Sequence, residues 1–141
     1  MKLHTMLLTV LPTAAAYLTG CATNAPFPTP QQIATADYGA SLTIDWQAAI
    51  KGWFLKKLKD PLSAQYIFKR APQKGYIQTV LYGTMFDYFA VVEVNAKASS
   101  GAYIGFQPYL FIFRNNHIKK VVEPGEFNYN GATMGTDLYL D

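Results

Sequence analysis

The chain has little of what catalytic and metal-binding sites are commonly built from. Its 141 residues include one cysteine, two histidines and nine acidic residues. A single cysteine excludes a disulfide within the chain. The histidines and acids nowhere show the spacing of a zinc or calcium site. We therefore expect no metal and no other cofactor.

Charge and long hydrophobic runs are also scarce. Twelve basic against nine acidic residues give a net charge of +3, and no cluster of Lys and Arg suits the neutralisation of phosphates, so we expect no nucleic-acid partner. No apolar run reaches the roughly 18 residues of a transmembrane helix. Half of the chain is apolar, with 10 Tyr and 9 Phe, which is enough to form the core of one domain.

The N-terminus has the pattern of an export signal. Lys2 precedes a short apolar run and then small residues, which predicts a signal peptide over residues 1–20. Leu18-Thr19-Gly20-Cys21 resembles the lipobox of bacterial lipoproteins, in which the cysteine is acylated and the preceding segment is removed. The alternative is an incidental thiol, but an unpaired cysteine is a liability in an oxidising compartment. The resemblance implies a lipid anchor at Cys21, and Ala22 after it favours the outer membrane.

Composition divides the rest of the chain into three parts. Residues 21–36 contain the lipidated cysteine and three prolines, which favour an extended tether. Residues 37–122 form the predicted domain, and residues 123–141 are a C-terminal tail whose order the sequence leaves open.

The domain begins with a helical pattern. Asp45 is a suitable N-cap for a helix from Trp46 to about Lys59, with its apolar residues on one broad side. Lysines at positions 56, 57 and 59 complement the negative end of the helix dipole; an anionic-lipid site is the alternative interpretation.

Alternating patterns follow the helix. They predict strands over residues 65–70, 76–82, 88–97, 103–114 and 117–122, with turns at 72–75, Gly83 and Asn115-Asn116. Short connections imply antiparallel neighbours. The expected fold is α+β, with one amphipathic helix packed on an antiparallel sheet of about four to five strands.

One hairpin carries the candidate site. With Ser99-Ser100-Gly101 as a loop and Gly101 left-handed, Lys97 opposes Tyr103, Asn95 opposes Gly105, Glu93 opposes Gln107 and Val91 opposes Tyr109. This register predicts one exposed polar face for binding, formed by Glu93, Asn95, Lys97, Tyr103 and Gln107. The other face is predicted to be the core, formed by Ala90, Val92, Val94, Ala96, Ile104, Phe106 and Leu110.

Three segments resemble those of a family of small, largely uncharacterised proteobacterial lipoproteins. They are Ala36-Asp37-Tyr38-Gly39, Asp60-Pro61-Leu62-Ser63-Ala64, and Val94-Asn95-Ala96-Lys97 continuing to Gly101-Ala102-Tyr103-Ile104-Gly105-Phe106. Ala98 and Ala102 depart from the family pattern, which has Asn and Gly there. The resemblance implies the class of protein and its compartment, and it implies no activity.

Catalysis has few candidates. His4 lies in the signal, His117 follows a turn, and Ser99 and Ser100 have only Lys97 nearby as a base. We therefore expect a non-catalytic binding or assembly module of the envelope and periplasm, which docks an envelope protein or a glycan. The alternative is a periplasmic inhibitor of a hydrolase, acting through the Lys97–Ala102 loop.

Overall fold

The computed structural model describes residues 27–79, 83–126 and 136–140. It has helices α1 (Pro30–Thr35) and α2 (Trp46–Lys57) and a 3-10 turn at Pro61–Ser63. The strands are β1 (Gln65–Thr79), β2 (Gly83–Lys97), β3 (Tyr103–Arg114), β4 (His117–Val122) and β5 (Thr136–Leu140). They form one antiparallel sheet in the order β4-β3-β2-β1-β5. The predicted α+β fold is confirmed.

Helix α2 begins where the sequence places it. The Asp45 carboxylate accepts a hydrogen bond from the Ala48 N–H at 3.0 Å, which satisfies an amide of the first turn. The helix ends at Lys57, two residues before the predicted end, and the Leu58 N–H donates to the Phe54 carbonyl. Within the described parts of the chain, no helix is both long and apolar enough to cross a membrane.

The sheet face under α2, called the helix face here, carries the main core. Ile50 and Phe54 of the helix are buried against this face. Trp53 and Phe54 meet the rings of Tyr109 and Phe111 edge-on, with centroids 4.9–6.4 Å apart, the arrangement that aromatic quadrupoles favour. The buried sheet residues of this face are Ala90, Val92, Val94, Phe111 and Phe113.

The opposite sheet face, called the second face here, has its own buried cluster. Its members are Ile77, Phe89, Val91, Leu110, Ile112 and Val122. Because side chains alternate along a strand, successive residues of β2 and β3 belong to two different apolar clusters. This explains why the middle of both strands is nearly continuously apolar.

The predicted turn at residues 72–75 is wrong. Strand β1 runs through it, and two shifts in register occur between Phe68 and Gln73. Pro72 has no N–H to donate, and a bulge tolerates that loss because pairing is interrupted there. The two strands predicted on either side are therefore one long strand.

The predicted extended tether is also partly wrong. Residues 30–35 form α1, which starts with a capping box: Thr29 and Gln32 each accept a hydrogen bond from the other's backbone N–H. The proline at position 30 occupies the first helical position, where its missing N–H costs nothing. Residues 1–20, predicted to be a signal peptide, and Cys21 lie outside the described residues.

The segment after α1 crosses the end of the sheet. The N–H groups of Ala40 and Thr43 donate to the side-chain oxygens of Asn115 and Asn116, at 2.9 and 2.7 Å. Both asparagines have positive φ, 51° and 63°, which confirms the predicted turn between β3 and β4. Part of the C-terminal tail is β5, which pairs with Gly75–Thr79 at the sheet edge.

Candidate binding surface at the hairpin end

The β2–β3 hairpin has the predicted tip. Lys97 opposes Tyr103, and Gly101 is left-handed with a φ of 84°. The loop is closed by two backbone hydrogen bonds, from the Ala98 N–H to the Ala102 carbonyl at 2.8 Å and from the Gly101 N–H to the Ala98 carbonyl at 2.9 Å. Residues 98–102 are exposed. The two hydrogen bonds hold this loop in one conformation.

A bulge at Gly105 changes the register below the tip. Gly105 has a φ of 88°, and Asn95 opposes Phe106, not Gly105. The Asn95 side-chain oxygen accepts a hydrogen bond from the Gly105 N–H at 2.9 Å, so it satisfies an amide at the bulge. From there Glu93 opposes Pro108 and Val91 opposes Leu110. These three pairs correct the predicted register by one residue.

From Phe106 onward the shift exchanges the two faces of β3, while those of β2 are as predicted. Ala90, Val92, Val94 and Ala96 are buried as predicted. On β3, three residues predicted for the core lie elsewhere: Ile104 is 57% exposed, Phe106 is 42% exposed, and Leu110 belongs to the second face. Gln107 opposes Val94 on the helix face and so does not join the predicted polar set.

The remaining polar residues hold the hairpin to its neighbours. Lys97 Nζ lies 3.4 Å from Asp60 Oδ2, and the Tyr103 hydroxyl donates to the Ser63 carbonyl at 2.9 Å. A hydrogen bond from Ser63, together with Lys97, lowers the pKa of the Asp60 carboxyl. These contacts clamp the 3-10 turn at Pro61–Ser63 to the hairpin.

Two further contacts lie next to this clamp on the second face. Asn95 Nδ2 donates to Gln65 Oε1 at 3.1 Å, and Glu93 lies 3.3 Å from Lys69 Nζ. Glu93, Asn95, Lys97 and Tyr103 thus lie on one face as predicted, but only Tyr103 is exposed; the other three are half-buried, contrary to the prediction of an exposed polar face. Each has a partner within the domain, so their first effect is to fix its shape.

Several large apolar side chains are exposed at this end of the sheet. Leu62 is 90% exposed, Tyr103 44% and Ile67 40%, beside Ile104 and Phe106. Leu62 lies in the clamped turn next to Tyr103, while Ile67 and Phe106 share the second face, because Ile67 opposes Glu93 and Phe106 opposes Asn95. We call these five residues the hairpin-end patch: Leu62, Ile67, Tyr103, Ile104 and Phe106. Four of them were not predicted as site residues; the glycine inside β3 was the signal for the bulge that moves Phe106 to the second face.

A buried ion cluster lies at the other end of the sheet. Asp87 is fully buried; its two carboxylate oxygens accept hydrogen bonds from Arg114 Nη1 at 3.0 Å and from Lys119 Nζ at 2.8 Å. Arg114 also donates to the Asp37 carboxylate at 2.6 Å. The hydrogen bond to Asp87, with the charge of Asp37, raises the pKa of Arg114. This cluster joins the N-terminal segment to β2, β3 and β4.

The histidine that was considered as a catalytic base forms part of the turn between β3 and β4. His117 is exposed at the start of β4, and its Nδ1 lies 2.7 Å from the Asn115 carbonyl, within the turn. In the described residues, no group of three or more His, Cys, Asp or Glu side chains is placed to hold a metal ion.

No family model, no curated protein and no solved structure matches the chain. The family resemblance therefore stays a prediction from the motifs. Two of those motif segments contact each other, through Lys97 with Asp60 and Tyr103 with Ser63. In the remaining segment, Gly39 has a φ of 79°, and a Cβ there would lie 2.7 Å from Asn115 Oδ1. The motif residues thus have conformational roles.

Proposed function

We propose that this protein is a non-catalytic binding module, anchored to the bacterial outer membrane by lipid on Cys21, that docks a partner protein through the hairpin-end patch. The observation that carries the proposal is the clustering of exposed large apolar side chains. Among the described residues seven such side chains are exposed, and five of them belong to this patch. Glu93 and Asn95 of β2 lie between Ile67 and Phe106 on the second face, so polar side chains are interspersed in the patch. Exposed apolar surface with a polar surround is typical of interaction sites.

The patch suits a protein partner better than a glycan. Its exposed atoms are those of Leu, Ile, Phe and Tyr, which resemble the apolar centre of protein interfaces. Full burial of one such side chain contributes about 1.5–3 kcal/mol. The clamp and the closed tip hold the patch before binding, so little further ordering is required on association.

The proposal is tested by capture from envelopes. Leu62→Ser with Phe106→Ser removes two exposed side chains while leaving the Lys97 and Tyr103 contacts in place. Phe27→Ser is the matched control, since Phe27 is 61% exposed before α1, outside the patch. We expect the parent and the control to co-purify one partner from crosslinked envelopes, and affinity for it to fall about 100-fold or more in the double variant, at roughly 1.5 kcal/mol per side chain. Equal capture by all three proteins would refute patch docking.

The closed tip supports the inhibitor as a second candidate. Residues 98–102 are exposed, and two backbone hydrogen bonds fix their conformation, as a loop inserted into an enzyme cleft requires. Replacing Ser99 and Ser100 by Lys tests it. Loss of partner binding in that variant, with binding retained by the patch variant, would favour the inhibitor over docking by the patch.

The anchor is tested separately. The lipobox motivates Cys21→Ser, which removes the acylated thiol, and we expect the protein to leave the membrane fraction. Unchanged fractionation of this variant would refute lipidation at Cys21.

A further inference from the structure

Helix α2 exposes one large apolar side chain, Leu55, on the side that faces away from the sheet. Ile50 and Phe54 point into the core, whereas Ala48 and Leu55 are exposed on the opposite side. An open groove of about 460 Å³ lies between α2 and β4. It is lined by Ala49, Gly52, Trp53, Leu55, Lys56 and Ile118. A helix that only covers a core would carry polar residues there.

Helix α2 carries positive charge that no acid on the helix compensates, and Lys56 lines the groove. Residues 46–59 include four lysines, Lys51, Lys56, Lys57 and Lys59, and no acid. None of the four forms an ion pair within the described part of the chain. Lys51 and Lys57 instead lie over aromatic rings, at 5.3–5.9 Å from the centroids.

Four described carboxylates are paired with cations outside α2, and a fifth caps the helix. Glu123 lies nearer to α2, since burial and the charge of Glu123 raise the pKa of Tyr109, which contacts Trp53. Asp37, Asp60, Asp87 and Glu93 are each paired with a cation away from α2, and Asp45 caps the start of the helix. Positive charge is therefore concentrated around an apolar surface, which complements a surface with negative headgroups over an apolar interior.

The chain enters the domain on the same side of the sheet as α2. Phe27, Asp37 and the α1 residues between them line an open cavity of about 640 Å³ together with Thr84 and Phe86. Phe86 lies two residues before Tyr88, which packs on the helix-face core, so Phe86 points to the helix face. Cys21 precedes Phe27 by six residues, which span at most roughly 20 Å. An acyl anchor at Cys21 therefore keeps a bilayer within reach of the helix face.

We propose that the outer side of α2 docks on the anionic bilayer surface in which the chain is anchored. Leu55 enters the interfacial region, and Lys56, Lys57 and Lys59 lie among the headgroup phosphates, as in helices that bind in the plane of a membrane interface. The inference rests on the proposed lipidation of Cys21, and it assigns the domain an orientation on the membrane.

Intrinsic fluorescence tests this orientation. The chain has two tryptophans, Trp46 and Trp53, and both lie on α2. The full lipidated chain is reconstituted into vesicles of brominated phosphatidylcholine, with or without phosphatidylglycerol. We expect bromine to quench the tryptophans in the anionic vesicles, little quenching in zwitterionic ones, and relief of quenching at high salt, because salt screens the lysines.

Matched variants separate the lysines from net charge. Lys56→Gln with Lys59→Gln is expected to lower the docking equilibrium about 25-fold, or roughly fivefold per lysine. Arg70→Gln with Lys120→Gln removes the same charge from residues that oppose Val91 and Ile112 on the second face, and it should leave docking unchanged. Leu55→Gln should also weaken docking.

Four outcomes would overturn the proposal. Equal quenching in both vesicle types, or an equal loss of docking in the α2 lysine variant and the Arg70/Lys120 control, would show that α2 does not recognise the anionic surface. Vesicles that float with the protein but leave the tryptophans unquenched would overturn docking by α2 while retaining the anchor. A chain that does not float with either vesicle would overturn both proposals.

Discussion

Replacing the buried carboxylate of Asp87 should lower the free energy of unfolding more than replacing any other single acidic residue. Asp87 is fully buried, and each of its oxygens accepts a hydrogen bond from a cation, Arg114 or Lys119. Asp87→Asn retains the size of the side chain but removes the charge, so two cations lose their shared counterion. Breaking a buried pair from one side is strongly destabilising for this reason.

The expected loss follows from the exposure of the partners. Each charge-assisted hydrogen bond contributes about 1.5–3 kcal/mol, which gives an upper range of about 3–6 kcal/mol for two. The side chains of Arg114 and Lys119 are 28% and 41% exposed, so water can partly replace Asp87, and Arg114 keeps its contact with Asp37. We therefore expect the free energy of unfolding to fall by about 3 kcal/mol, near the lower end of that range.

Urea unfolding followed by the fluorescence of Trp46 and Trp53 measures this change. At an m-value of about 2 kcal/mol/M, the midpoint should fall by roughly 1.5 M with the slope unchanged. Glu93→Gln is the control, because it removes the same charge from a partly exposed pair with Lys69 and should cost under about 1 kcal/mol. A loss below about 1 kcal/mol for Asp87→Asn would refute the view that this cluster is a major source of stability.

Three further effects should be measurable. Gly105→Ala should destabilise the domain by about 1–3 kcal/mol in urea unfolding, because an L side chain is strained at a φ of 88°. No neighbouring atom lies near the added Cβ, so the loss measures backbone strain alone, and an unchanged midpoint would contradict the bulge. Gly52→Ala, in the open middle of α2, should have the opposite sign and stabilise by up to about 1 kcal/mol. The pKa of Asp60 is below its ordinary value of 3.8, so its ionised form stabilises the fold above about pH 4, and this contribution is lost as pH falls through the folded pKa. The melting temperature of Asp60→Asn should therefore depend less on pH below about 4 than that of the parent, and equal acid slopes would contradict stabilisation of the Asp60 carboxylate by Ser63 and Lys97.

Local signals in the sequence predicted much of the fold. Asp45 marks the start of α2, Asn115-Asn116 marks a tight turn, and Gly101 marks the hairpin tip, because each conformation depends on a few adjacent residues. The alternation in β2 placed Val92 and Val94 on the helix face correctly. These features depend on the geometry of a few adjacent residues, which the residue types indicate directly.

The faces of β3 could not be predicted in the same way. One extra residue at Gly105 moves every following side chain to the other face, and residues 109–113 are apolar on both faces, so their pattern gives no check on register. Strand β1 was divided wrongly because Pro72 and Gly75 are typical of turns. The cluster around Asp87 draws its cations from two other strands, and no spacing along the chain shows that Arg114 and Lys119 converge on it.

The two proposed surfaces constrain each other. The hairpin-end patch includes Ile67 and Phe106 on the second face, and α2 lies on the helix face. If α2 docks on the bilayer, these two side chains face away from it, where a partner protein can reach them. If the tryptophans of α2 stay unquenched while the anchored protein floats, the opposite orientation becomes open, and the same apolar side chains become candidates for contact with lipid. The orientation of α2 therefore decides how the patch must be interpreted, because an exposed Phe and Ile serve a protein interface and a membrane interface equally well.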